Sequence, residues 1–406
     1  MLASNTDRPS DCKHYVTPEL PEITSMSAPR IYLDHNATAP LRPVACAAML
    51  KALDLTGNAS SIHAEGRAAR ALIEDARDTL AAAFGAPRGD VVFTSGGTEA
   101  ANLALRIGLA ALPRLFACAT EHPCILNGQA EVPVRTVAVD ARGRLDLAAL
   151  AGALSEDGSG PALVAVQAAN NETGVIQPVA EAARTAHETG GLIICDAVQM
   201  AGRLPVSRAE LGADLLIVSA HKFGGPKGVG ALILNSARLR TVTPLISGGG
   251  QEMGRRGGTE NVAGIAGLAA ALAEAQGALT TEPARLAALR ARLEALVLEA
   301  APDAVIFGAD AARLPNTTCF AIPGLSAETL LIALDLSGVA ASSGAACSSG
   351  KVKQSHVLAA MGVSPDLARG ALRLSLGWST KAEEIERFGV LFADVVTRAR
   401  RARAAA

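Results

Sequence analysis

Five short β-rich runs, apolar throughout except for Thr94, punctuate the chain at 91–94, 163–166, 192–194, 215–218 and 231–234, and the stretches between them carry apolar positions at helical spacing. Alternating apolar and polar residues would mean strands with one wet face. Unbroken runs mean burial on both faces, as in a sheet sandwiched between helix layers. The pattern therefore predicts an α/β domain. From about residue 273 it changes to an Ala/Leu/Arg/Glu segment over 283–301, followed by short strands near 303–307 and 316–322, a helix near 326–337 and a Ser/Gly-rich segment at 342–350. A smaller α+β domain is expected there. The stretch 262–279 is apolar but built mostly from Ala and Gly and interrupted by Glu274 and Gln276, which suits a buried helix better than a membrane span. The boundaries expected are 1–29 for a loose extension, 30–272 for the large domain, with 30–43 a candidate to pack on the small one, and 273–406 for the small domain.

Composition narrows the function. With 37 Lys+Arg against 39 Asp+Glu in 406 residues, the chain lacks the cation excess that general nucleic-acid or membrane-surface binders need. A small substrate or a protein partner fits better. Seven cysteines with no C-x-x-C pair suit free thiols in a reducing compartment. The first 29 residues have no continuous apolar core of a signal peptide and are too acidic for a transit peptide. A cytoplasmic protein is expected. The Arg-rich end, Arg398 to Arg403, reads as a solvated helix terminus.

Candidate chemistry gathers at strand exits. After the 91–94 strand, Ser95-Gly-Gly-Thr-Glu-Ala-Ala-Asn102 combines a tight glycine turn with a helix start, whose free N–H groups and Thr98 hydroxyl could cradle a phosphate. Alone, it could equally be a turn and cap. Cys195-Asp-Ala-Val-Gln199 puts a carboxylate and an amide after a buried strand, where open α/β sheets bind ligands, although a single Asp there is often only a helix cap. Ser219-Ala-His-Lys-Phe-Gly-Gly-Pro-Lys-Gly-Val-Gly230 presents a hydroxyl, an imidazole and an amine after the next strand. Lysine is scarce, 7 against 30 Arg, so Lys222 beside an apolar Phe is selected for an amine that can lose its proton, which guanidinium cannot. A carboxylate, a lysine and a phosphate cradle on three strand ends are the anchors that pyridoxal 5'-phosphate needs.

Together with Tyr32-Leu-Asp-His-Asn-Ala-Thr38, Asn170-Asn-Glu-Thr-Gly174, Gly248-Gly-Gly-Gln-Glu-Met-Gly-Arg-Arg-Gly-Gly-Thr-Glu-Asn261 and Ser342-Ser-Gly-Ala-Ala-Cys347, these motifs closely resemble the NifS/IscS-like cysteine desulfurases, in order, from about residue 31 to about 390. The resemblance implies a fold-type I pyridoxal-phosphate enzyme, with a mostly parallel seven-stranded sheet between helices. It implies a homodimer that converts L-cysteine to L-alanine and leaves a persulfide on its own cysteine, supplying an iron–sulfur scaffold or another sulfur acceptor. Nitrogenase maturation, general cluster assembly and tRNA thiolation remain open as destinations.

Carried over residue by residue, the resemblance makes Lys222 the Schiff-base lysine, puts Asp196 on the pyridine nitrogen, gives Gln199 the ring hydroxyl, and has His122 stack on the ring and help move protons. Gly97, Thr98, Ser219 and His221 would hold the phosphate, and Thr259 would reach that of the other subunit. Arg373 would grip the substrate carboxylate, with Asn171 and Asn36 completing the grip. Cys347 would be the thiol that attacks the substrate sulfur, riding a segment of Ser, Gly and Ala. No metal site is expected. The other cysteines read as small buried hydrophobes. Departures from the usual family wording are Ala345, Ser348, Met253 and Lys351-Val-Lys-Gln354; none removes a group the mechanism uses. The alternatives are a selenocysteine lyase, which can dispense with the thiol, and a non-catalytic sulfur-relay scaffold.

Overall fold

The computed structural model describes residues 29–128, 132–155, 160–239, 241–343 and 354–405. After a short strand β1 (Ile31–Tyr32), the chain builds a seven-stranded sheet from β2 (Val91–Thr94), β3 (Leu115–Cys118), β4 (Val134–Val137), β5 (Leu163–Gln167), β6 (Leu192–Asp196), β7 (Leu215–Ser219) and β8 (Gly230–Leu234), in the spatial order β2-β8-β7-β6-β5-β3-β4. β8 is antiparallel to both neighbours, and every other adjacent pair is parallel. The α/β architecture is the one the apolar runs predict.

The unbroken runs divide between two cores because successive side chains point to opposite faces. In β7, Leu216 and Val218 enter one core while Leu215 and Ile217 enter the other, and Ile193 and Ile194 split the same way. The helices Ala64–Phe84 and Val262–Gly277 close the first core with Ile73, Leu80, Leu268 and Leu272. The helix Gly97–Ala111 closes the second with Leu103, Leu105 and Ile107. β3 and β4 go beyond the runs read from sequence. β3 is half Ala and Cys, and β4 lies at the sheet edge with Arg135 and Thr136 exposed, so neither has an unbroken β-branched signature. Among the described residues no single helix is long and apolar enough to cross a membrane.

A separate core begins with the helix Glu282–Ala300 and continues through β9 (Val305–Ile306), β10 (Thr317–Ala321), the helix Ala327–Leu336, β11 (Val339–Ala340), β12 (Ser342–Ser343), β13 (Leu372–Ser375) and the helix Ala382–Ala404. Strands β12-β13-β10-β9 form an antiparallel sheet. β1 pairs in parallel with β11, and Ile31 and Leu33 are buried with Phe320, Phe388 and Phe392. The chain from Asp34 to Thr38 is thereby held between the two cores, which matters for the site below.

Cys118, Cys195 and Cys319 are buried, and desolvation raises all three thiol pKa values, that of Cys118 to about 12, so they serve as small apolar fillers. Two cysteines correct that reading: Cys46 is exposed on the helix Pro43–Leu53, and Cys124 is only partly buried, beside the cavity described next. Cys12 lies outside the described residues.

Candidate active site

All strands of the large sheet except β8 run the same way, and the carboxyl ends of β5, β6 and β7 open into a cavity of about 350 Å³. The helix after β2 contributes Gly97 and Thr98; Gln167, Asp196 and Ser219 end their strands; His221 and Lys222 follow at once. His122 comes from the turn after β3 and Asn171 from the turn after β5. From the opposite side, Asn36 follows β1 and Arg373 stands on β13 of the small sheet. Thr259 lies elsewhere, exposed in a neighbouring groove with Ser95, Glu252 and Arg256. Cys347 falls outside the described residues.

The cradle is built by backbone geometry. Gly96 has φ 153° and ψ 180°, a region essentially reserved for glycine, and it starts the helix without a side-chain cap. Glu99 in the first turn would repel an anion, but its carboxylate accepts from Ser95 N–H at 2.7 Å and is paired with Arg256 at 2.9 Å. A Cβ on Gly97 would lie 3.3 Å from Ser219 Cβ, so the strand end and the helix start meet closely at this corner. His221 contacts Thr38 Oγ1 through Nδ1 at 3.2 Å, and burial followed by the Lys222 charge holds its pKa down to about 4, leaving a neutral ring. Helix N–H groups, hydroxyls and a neutral imidazole make a site for an anion.

At the other end, Asp196 Oδ1 accepts from Val198 N–H at 2.9 Å, a side-chain turn contact at the strand exit, where among the described residues no helix follows for it to cap. Burial pushes the Asp196 carboxyl up to about 6, against the opposing pull of that N–H and of Lys222. Behind it sits Glu121, 1% exposed, raised well above the usual carboxylate range by burial and then by the Asp196 charge. Two buried carboxyls that each raise the cost of charging the other favour keeping a proton on one of them. An acid whose folded pKa exceeds its unfolded value stabilises the fold most below the unfolded value, and that contribution is lost as pH rises through about 6. Asp196→Asn is accordingly expected to stabilise the cofactor-free protein by about 1–3 kcal/mol at neutral pH but not below pH ~4, while weakening cofactor binding. Denaturant unfolding at the two pH values checks this, and an equal gain at both would refute it.

Lys222 ends a single 3-10 turn, and its Nζ donates to Asn36 O at 2.7 Å and Ala37 O at 2.9 Å. His122 caps the short helix Pro123–Leu126, with Nδ1 accepting from Cys124 N–H at 3.2 Å, and burial followed by the Lys222 charge lowers its pKa to about 4. The neutral ring therefore carries its proton on Nε2. Arg373, 2% exposed, donates to Asn171 O at 3.1 Å and Asp34 Oδ1 at 2.8 Å, while its Nε has no partner. Asn36 lines the cavity beside Lys222, Asn171 and Arg373. Its Nδ2 donates to Asn171 O and Thr317 Oγ1, and its Oδ1 accepts from Asn316, so the side chain is committed to the interior and its carbonyl serves Lys222 and Gln199. Glu121, Gln167 and Asp34 have places at this site that sequence reasoning passed over, although Asp34 stands inside a quoted motif. Only adjacency to His122 and to the Asp34-His35-Asn36 run could have signalled them.

Residues 31–388 match the family model described as Aminotransferase class-V. A cysteine desulfurase of Cereibacter sphaeroides is 44% identical over 369 residues, covering 88% of this chain and 93% of that protein. The cysteine desulfurase IscS of Dictyoglomus turgidum (strain DSM 6724 / Z-1310) is 40% identical over 365 residues, covering 87% and 91%. A solved NifS-like protein from Rickettsia africae ESF-5 superposes with a TM-score of 0.83 at 35% identity, over 90% of this chain and 99% of that one. Likeness that spans both cores and the cavity between them places the chain in the class-V aminotransferase family, among the NifS/IscS-like cysteine desulfurases.

Proposed function

We propose that this chain is a pyridoxal-phosphate-dependent cysteine desulfurase, converting L-cysteine to L-alanine and passing the sulfur to its own Cys347. The observation that carries the reading is one cavity shared by an amine, a buried carboxyl, a helix-start anion cradle and a buried arginine. The donor set fits the cofactor: Gly97, Thr98, Ser219 and His221 for the phosphate, Asp196 for a protonated ring nitrogen, Gln199 for the ring oxygen, and Lys222 for the aldehyde. Bound there, pyridoxal phosphate supplies an electron sink that weakens bonds at the substrate's α-carbon.

The chain's own groups then have distinct tasks. Arg373 presents a planar cation to the substrate carboxylate, and Asn171 flanks it. Since Arg373 stands in the small sheet and Lys222 in the large domain, substrate recognition draws the two cores together. The Lys222 amine moves the proton at the α-carbon. His122, neutral with Nδ1 engaged, offers Nε2–H as a donor and its ring face for stacking. At Cys347 the thiolate attacks the substrate sulfur: an S–S bond forms, the C–S bond breaks with its electron pair going to carbon, and a returned proton completes alanine. An ordinary thiol with a pKa of about 8.5 is only a few per cent ionised at neutral pH, so cations near the substrate favour the step.

We place the enzyme in the cytoplasm as a homodimer in which Thr259, in the groove next to its own cavity, completes the partner's phosphate site. An iron–sulfur scaffold or another sulfur acceptor receives the product sulfur. Incubation with cofactor and L-cysteine tests the reading. Alanine release that is lost in Cys347→Ser is expected. No alanine from the wild type sinks it in favour of a scaffold, and strong preference for selenocysteine with indifference to Cys347→Ser sinks it in favour of a lyase.

A further inference from the structure

Arg203 presents an anomaly. It is 6% exposed, yet among the described residues no carboxylate pairs with it, and burial followed by the charge of Arg373 depresses its pKa to about 9. A buried cation without a counter-ion is costly and persists only where something uses it. All its hydrogen bonds go to oxygens of segments that wall the cavity. Nη1 donates to Gln199 Oε1 at 2.6 Å and Gln199 O at 2.7 Å. Nη2 donates to Lys222 O at 3.0 Å and His35 O at 3.2 Å, which anchors the guanidinium itself.

The contact with Oε1 fixes an orientation that a glutamine alone leaves free. An amide presents an acceptor on one side and donors on the other, and its two ends are nearly isosteric. Arginine can only donate, so the end it touches must be the oxygen. The opposite end is then Nε2, which donates to Asn36 O at 3.1 Å on the cavity wall. We propose that Arg203 is a positioning residue that locks the Gln199 amide with its nitrogen toward the cavity, so that an anionic ring oxygen of the bound cofactor meets a donor and never an acceptor. The inference rests on the pyridoxal-phosphate reading above. Lysine is a poor replacement, because a single ammonium lacks the planar fork that reaches both Gln199 oxygens and the two carbonyls at once.

A double-mutant cycle on the full-length protein tests it, reading the dissociation constant of pyridoxal 5'-phosphate and the position of its absorption band. Arg203→Met is expected to weaken binding roughly tenfold or more and to shift the band, with Arg203→Lys moving both in the same direction. In a Gln199→Leu background the Arg203 substitution should add at most about threefold, because its effect passes through the amide. Full additivity would reduce Arg203 to a structural residue and overturn the proposal, as would a wild-type constant and band in either single variant. Should Arg203→Met fail to fold, Arg203→Lys and its combination with Gln199→Leu carry the same cycle. A wild-type protein that does not bind pyridoxal phosphate would overturn the functional reading instead.

Discussion

Lys222→Ala is expected to lower alanine formation from L-cysteine by roughly four orders of magnitude or more, the scale on which loss of a covalent catalytic group is felt. The fold should survive. What Arg203 holds at this position is the Lys222 backbone carbonyl, which alanine retains, and the acceptors released by the lost amine, Asn36 O and Ala37 O, lie beside a cavity that water can enter. Lys222→Arg is expected to be as inactive, since guanidinium keeps its proton. Alanine release and a denaturation curve on the same preparation separate chemistry from folding. Activity within tenfold of wild type in either variant, with the fold intact, would rule out Lys222 as the cofactor's partner.

Arg373→Ala is expected to reduce kcat/KM by about 2–5 kcal/mol, or roughly thirty- to several-thousandfold, mostly through KM, because in the proposed function it removes one half of a buried charge-assisted pair with the substrate carboxylate. The substitution also strips Asp34 of its cation, whose contact with Arg373 is 2.8 Å. Asp34→Asn separates the two effects, since it breaks the same ion pair but leaves the guanidinium in place, and its KM should stay within a few fold of wild type. Arg373→Lys keeps the charge without the planar fork and is expected to fall between them. Steady-state kinetics of the three variants decide the matter: an unchanged KM in Arg373→Ala would remove this residue from substrate binding.

Local pattern was enough for much of this molecule. The unbroken apolar runs at 91–94, 163–166, 192–194, 215–218 and 231–234 became adjacent or near-adjacent strands of one sheet because a doubly buried strand advertises itself residue by residue. β4 did not, since its edge position tolerates Arg135 and Thr136, and β3 did not, since Ala and Cys carry little strand preference. Lys222 was legible from the scarcity of its type, and Gly96-Gly97-Thr98 from the turn that only glycine permits.

Residue type and short-range spacing thus determined the fold class and which groups could do chemistry, because both are properties of a few neighbouring residues. Tertiary structure alone decided how those groups are used. Asn36 stands in a local motif, but what holds its amide in place is Thr317, 281 positions away, and Asn316. Arg203 looked like one arginine among 30, but the fold closes it over Gln199. Glu121 stood beside a recognised histidine, yet its significance comes from Asp196, which a different strand delivers. A hydrogen bond or a shared proton depends on a distance of a few ångströms, and that distance is fixed only when segments far apart in the chain bury their apolar faces together.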